Sequence, residues 1–161
     1  TIGNIREIDS KLSYYKYFSE FERLLDEDGY PGSKPPWGNL TALNLNTGKI
    51  KWQVPFGEYK ELTDKGIPKT GTENYGGATG TAGNLIFATG TLDKKIRAFN
   101  SNNGEELWSY EMDFVGSGPP SVYSINGNQY IVVASTGSYS LSSAYSVEFG
   151  NLLYCFKLKN E

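Results

Sequence analysis

The chain has 161 residues, 38% of them hydrophobic and 14% aromatic, with a net charge of −3. That is the length of one domain with apolar mass enough for a core, and its acidic balance argues against a generic nucleic-acid binder. There is no histidine and one cysteine, Cys155, which excludes Ser-His-Asp and Cys-His catalysis, histidine metal sites and an internal disulfide.

The chain opens Thr-Ile-Gly with no initiator Met, as a processed or excised piece would, so the missing leader does not place it in the cytosol. No apolar run is long enough to span a membrane as a helix. Tyr14, Tyr17, Phe18, Phe21, Leu24 and Leu25 recur at helical spacing among Ser19, Glu20, Glu22 and Arg23, which predicts a short N-terminal helix. Asp26-Glu27-Asp28-Gly29 would stop that helix, and residues 30–36, with three prolines, read as a rigid connector. Residues 1–36 are thus expected to form a helical segment and connector, and residues 37–161 a β-domain.

From Trp37 onward short apolar runs alternate with Asn/Gly turns. Strands are predicted at 40–45, 50–54, 85–89, 95–100, 106–110, 121–125, 129–134 and 152–158, with Asn126-Gly127 as a hairpin turn. A repeat runs through them. Ala42, Asn44, Asn46, Gly48 and Trp52 match Ala98, Asn100, Asn102, Gly104 and Trp108 at a spacing of 56 residues. Each unit reads as a hairpin whose Asn and Gly accept positive φ at the turn and whose Trp can wedge between neighbouring sheets. One such unit cannot bury both faces, which points to radially packed four-stranded sheets, a β-propeller. At about 40–45 residues per blade, the chain has the length of two to three blades, which makes it either a fragment of a larger ring or some other sheet assembly. Open blade edges would then favour self-association.

Taken together, Lys34-Pro35-Pro36-Trp37-Gly38, Gly71-Thr72-Glu73-Asn74-Tyr75-Gly76-Gly77, the two Trp repeats and Gly127-Asn128-Gln129-Tyr130 resemble the dehydrogenases dependent on pyrroloquinoline quinone (PQQ), the membrane-type glucose dehydrogenases most of all. The resemblance implies an eight-bladed propeller binding PQQ beside Ca²⁺. It implies oxidation of a sugar or alcohol, with electrons passed to a quinone or cytochrome, in the periplasm, with any membrane attachment through upstream sequence. It places this chain in the last blades, with the Ca²⁺ ligands and the catalytic acid upstream, so that the piece alone would be inactive. A non-catalytic propeller scaffold that binds other proteins is the alternative.

Asn74 and Tyr75 are the candidate cofactor contacts. Asn offers a donor and an acceptor, Tyr a ring edge or hydroxyl, and Gly76-Gly77 allow close backbone approach. Ser138 is the candidate substrate contact, at the position where glucose-oxidising relatives carry histidine, although residues 135–149 depart from the family and a solvated loop is the plainer reading. Trp37 reads as an anchor for the connector, Trp52 and Trp108 as wedges, and Cys155 as a small apolar residue in a strand. Gly77–Gly83 precedes a strand, not a helix, and so is no dinucleotide loop. Asp26–Asp28 lacks the ligands of an EF-hand.

Overall fold

A computed structural model describes residues 2–7 and 17–157. The chain folds as two compact units that divide between Lys34 and Pro35.

In the first unit, β1 (Ile2–Glu7) pairs antiparallel with β2 (Tyr17–Glu22), from Ile2 opposite Glu22 to Glu7 opposite Tyr17. The expected N-terminal helix is therefore wrong over residues 17–22, and residues 12–16 of it lie outside the described residues. The aromatics Tyr17, Phe18 and Phe21 that fit a helical stripe are also strong strand formers, and a partner strand decides between the two. The acidic stretch after them is a turn. Asp26 Oδ1 accepts the backbone N–H groups of Asp28 (3.0 Å) and Tyr30 (2.8 Å), and Leu25 bridges Pro31.

The second unit is three antiparallel sheets. β3 (Asn39–Asn44) and β4 (Lys49–Pro55) form the first. β5 (Ala78–Gly80), β6 (Leu85–Ala88), β7 (Lys95–Asn100) and β8 (Glu106–Glu111) form the second, in chain order. β9 (Ser121–Ile125), β10 (Asn128–Ser135) and β11 (Leu152–Lys157) form the third. All eight predicted strands are present. The three-residue β5 and two short helices, α1 (Lys60–Thr63) and α2 (Tyr139–Tyr145), carried too few periodic residues to be seen in the sequence.

The two inner strands of the middle sheet, β6 and β7, bury residues on both faces. Ile96 and Ala98 of β7 and Phe87 of β6 pack against Met112, Ile131 and Val133 towards the third sheet. The alternate residues Phe99 and Ala88 join Phe56 towards the first. The two repeat hairpins share one irregularity. Each shifts register by a residue, between Ala42 and Leu43 and between Ala98 and Phe99, so that Ala42 faces Trp52 and Ala98 faces Trp108 across equivalent bulges. Trp52 leaves its own sheet. Its Nε1 donates to the Ser101 carbonyl at 3.0 Å, and its ring covers Gly104 in the next sheet's turn. Trp108 instead packs edge-on against Phe156 of β11, at 5.2 Å between ring centroids.

The repeat matches β3–β4 to β7–β8. The three sheets are thus the outer pair of one blade, a complete blade, and the first three strands of another.

Candidate functional site

Antiparallel order sends the β3–β4, β5–β6, β7–β8 and β9–β10 turns to one end of the sheets. The β4–β5, β6–β7, β8–β9 and β10–β11 connections gather at the other. Backbone bridges tie this second end together: Asn74 pairs with Thr91, and Gly116 with Ser135.

Asn74 and Tyr75 stand side by side at this end, in the connection that leads into β5, and both are exposed. Glu73 Oε1 accepts from the Tyr75 hydroxyl at 3.5 Å. Asn74 Nδ2 donates to the Thr72 carbonyl at 3.5 Å, a weak bond. Gly76 does not leave room for a ligand. A Cβ there would run into the Thr89 carbonyl and Gly90, so its role is the close approach of two backbones.

Ser138 lies on the neighbouring blade, at the N-cap position of α2. Residues 139–145 are thus a helix where the sequence suggested a solvated loop. Leu141 is fully buried and pins it, and the Ser138 carbonyl accepts the Ser142 N–H at 2.8 Å. The structure brings Asn74, Tyr75 and Ser138 to one end of the sheets, on two adjacent blades.

Two features of this end were missed from the sequence. The first is aromatic. Trp37 donates its backbone N–H to the Thr70 carbonyl at 2.6 Å, which seats its indole edge-on to Tyr59 with 5.4 Å between centroids. Burial, then the nearby Tyr145 side chain, then the carboxylates of Glu73 and Glu61 push the Tyr59 phenol far above its ordinary value, so it stays neutral. Tyr145 arrives on α2. Tyr59 and Tyr145 are 86 residues apart, and no sequence signal joins them.

The second is ionic. The side chain of Arg97 is 1% exposed and pairs with Asp93. Its Nη1 also donates to Thr91 Oγ1 at 3.1 Å, its Nε lies 3.4 Å from Glu106, and its guanidinium stands 5.9 Å above the Phe56 ring. Asp93 Oδ2 accepts the Glu58 N–H at 2.9 Å, and Glu58 in turn pairs with Lys95 at 2.6 Å. Burial opposes ionisation of Asp93, but Arg97, Thr91 and the Lys95 N–H outweigh it and hold the carboxyl below its ordinary range. A cavity of about 250 Å³ opens beside these groups, lined by Glu58, Tyr59, Glu61, Asp93, Lys95 and Glu111 among others. The sequence signal was slight: one arginine in an apolar strand, with an aspartate four residues earlier.

Among the described residues no group of three or more His, Cys, Asp or Glu side chains is placed to hold a metal ion. These residues do not make a Ca²⁺ site. For PQQ, a planar anion, they offer the exposed Asn74 carboxamide as donor and the Tyr75 ring, which fits the edge of such a ligand and no more of it.

Comparison with known proteins gives the fold and the chemistry a context. Residues 5–131 match the family model "PQQ: Glucose/ethanol/alcohol dehydrogenase, beta-propeller domain". The chain is 32% identical over 146 residues to quinoprotein glucose dehydrogenase A of Acinetobacter calcoaceticus, covering 88% of this chain and 18% of that protein. It is 37% identical over 123 residues to the quinate/shikimate dehydrogenase (quinone) of Acinetobacter baylyi, covering 72% and 15%. A europium-containing methanol dehydrogenase shares the fold with a TM-score of 0.61 at 20% identity, over 81% of this chain and 25% of that one. The chain therefore spans less than a fifth of the length of these two curated relatives, and with its repeated Trp hairpins and radially packed sheets it belongs to the PQQ-dependent glucose/ethanol/alcohol dehydrogenase β-propeller family.

Proposed function

We propose that this chain supplies blades and part of the active-site rim of a PQQ- and Ca²⁺-dependent dehydrogenase that oxidises a sugar or alcohol and passes the electrons to a quinone or cytochrome. The observation that carries this reading is the family match together with the exposure of Asn74 and Tyr75 at the loop end of the sheets. PQQ, when bound, would supply the quinone that accepts the substrate's electrons. Asn74 would hold it through the carboxamide, and Tyr75 would meet it with the ring edge. Ser138 would donate to or accept from a substrate hydroxyl. The buried Arg97–Asp93 pair would keep the Tyr59 loop in place, and Gly76 would fix Asn74 by its contact with Thr89. Ca²⁺ would be held by residues outside those described. The working location is the periplasm, with membrane attachment through other parts of the protein, which suits a quinone acceptor.

The test is reconstitution of the full-length protein with PQQ and Ca²⁺, followed by dye-linked oxidation of sugars and alcohols. Turnover that needs both additions is expected. Asn74→Ala should weaken PQQ binding about ten-fold, the loss of one good hydrogen bond. A folded protein that neither binds PQQ nor turns over overturns the reading.

A further inference from the structure

The chain holds two Asn-Gly pairs, Asn103-Gly104 and Asn126-Gly127, and each stands at the turn of a hairpin. The fold treats them differently. At the first, Gly104 is buried and donates its N–H to the Asn100 carbonyl at 2.8 Å. The Trp52 ring lies over it, fixed by the bond from its Nε1 to the Ser101 carbonyl at 3.0 Å. The Asn103 carboxamide is held as well, with Oδ1 accepting the Glu105 N–H at 3.0 Å and Nδ2 donating to Glu105 Oε2 at 3.4 Å. At the second, residues 123–127 are all exposed, and a Cβ on Gly127 would meet nothing within 4 Å. Asn126 and Gly127 take positive φ, 51° and 75°, as a two-residue I′ turn between β9 and β10 requires. The bond at this tip is made by the Asn126 backbone carbonyl, which accepts from Asn128 Nδ2 at 3.3 Å and leaves the carboxamide out. Among the described residues no acceptor is placed for the Gly127 N–H.

We infer that Asn126 is a site of spontaneous deamidation at the tip of the third sheet, and that Trp52 shields Asn103 from the same reaction. The Gly127 amide nitrogen, deprotonated by hydroxide, attacks Cγ of Asn126. The bond from Cγ to the carboxamide nitrogen breaks and ammonia leaves, giving a cyclic succinimide. Water then opens either carbonyl of the ring and leaves aspartate or isoaspartate. The net reaction takes up one water and releases one ammonia, with no oxidation or reduction. Glycine favours the attack because it puts no Cβ beside the nucleophilic nitrogen. The reacting atoms meet only when Asn126 rotates out of the I′ turn, so the rate follows local opening. A hairpin tip whose residues 123–127 are all exposed opens cheaply. Opening at Asn103 must break the bond from Gly104 to Asn100 and move the indole. Isoaspartate carries the main chain through its side-chain carbon, which lengthens the turn and displaces the Ile125–Asn128 rung that starts the β9–β10 ladder. That ladder carries Val122 and Ile131 against the middle sheet.

The experiment incubates the full-length protein at mildly alkaline pH, folded and in concentrated urea. Peptide mapping follows deamidation at each asparagine, and methyl transfer from S-adenosylmethionine by an isoaspartate methyltransferase counts isoaspartate. In urea the two Asn-Gly pairs should react at similar rates, because their local chemistry is the same. In the folded protein Asn126 should react at least about ten-fold faster than Asn103, whose turn must give up two hydrogen bonds to open. Trp52→Phe removes the indole N–H and keeps a ring, and it should speed Asn103 about three-fold while leaving Asn126 unchanged. Protein carrying isoaspartate should unfold at a lower temperature than unreacted protein. Equal rates at the two sites in the folded protein, or a faster Asn103, overturn the inference. A folded-state Asn103 rate that ignores Trp52→Phe overturns the shield, and an unchanged unfolding temperature overturns the link from the turn to the sheet.

Discussion

Arg97 and Asp93 do their work by position. Burying a full charge costs several kcal/mol, which the pairing and the hydrogen bonds around it offset. The gain is a tie between two blades: Asp93 sits in the β6–β7 connection, yet its Oδ2 holds the Glu58 N–H of the β4 exit. Asp93→Asn would leave the guanidinium without its nearest counter-charge, and we expect a loss of about 3 kcal/mol in urea unfolding at pH 7. The pH dependence has a definite sign. The folded carboxyl lies below the ordinary value of 3.8 because Arg97 and its other donors overcome burial. On acidification the unfolded chain takes up its proton first. The contribution of Asp93 is complete above about pH 5 and is lost as pH falls through the folded value. Wild-type stability should therefore drop steeply below about pH 4, and the drop should be shallower in Asp93→Asn. Unfolding curves whose acid limbs coincide would refute this.

The repeated hairpin is the element that the sequence specifies most fully. Asn44 and Asn100 close their turns in the same way, with Oδ1 accepting the N–H two residues on at 3.0 and 2.9 Å. Gly48 and Gly104 both take positive φ, 66° and 76°. Their surroundings differ: a Cβ on Gly48 meets nothing, whereas one on Gly104 would lie 2.6 Å from Cε3 of Trp52. Gly48→Ala should cost only the left-handed strain of about 1 kcal/mol. Gly104→Ala should cost about 2 kcal/mol more, because the Trp ring must move. Thermal unfolding of the two variants side by side gives the comparison, and equal shifts in Tm would show that Trp52 is not seated on Gly104. Spacing revealed this hairpin because its turn chemistry is local. The bulge was hidden because both of its flanking strands keep a plausible alternation. Residues 17–22 misled because aromatic residues suit helix and strand alike until a partner strand is present, and the partner, Ile2–Glu7, lies beyond the reach of any helical pattern.

At the scale of the molecule, the third sheet has three strands where the middle one has four. Among the described residues, β11 has no neighbour on its outer side. Leu153 on this strand is 71% exposed, and an apolar groove of about 620 Å³ lies beside it, lined by Leu107, Trp108, Cys155 and Phe156 among others. An open edge next to an apolar groove is a template for another strand. The 161-residue chain should self-associate at high concentration, and Leu153→Lys should shift it towards monomer in sedimentation. A chain that stays monomeric at every concentration would refute the edge as the contact. The candidate site was less readable than the fold for a related reason. Asn74 and Tyr75 stood out because they sit in one short motif. Tyr59 comes from the β4–β5 connection and Tyr145 from the β10–β11 connection, brought to one end by the sheet order, and side chains that meet only through topology leave no mark on spacing.

The seating of Trp52 on the Ser101–Gly104 turn has a consequence for how such rings change in length over evolution. Compatibility between successive blades is carried here by a tryptophan at the outer strand of one and a glycine at the outer turn of the next, two positions in a 56-residue period. A duplicated blade that kept both would be accepted by its neighbours on either side, since each would find the surface it already fits. Nothing in that joint counts blades. The number in a ring would then be set by closure, where the first and last sheets must meet at the accumulated twist, and by the central site the ring has to surround.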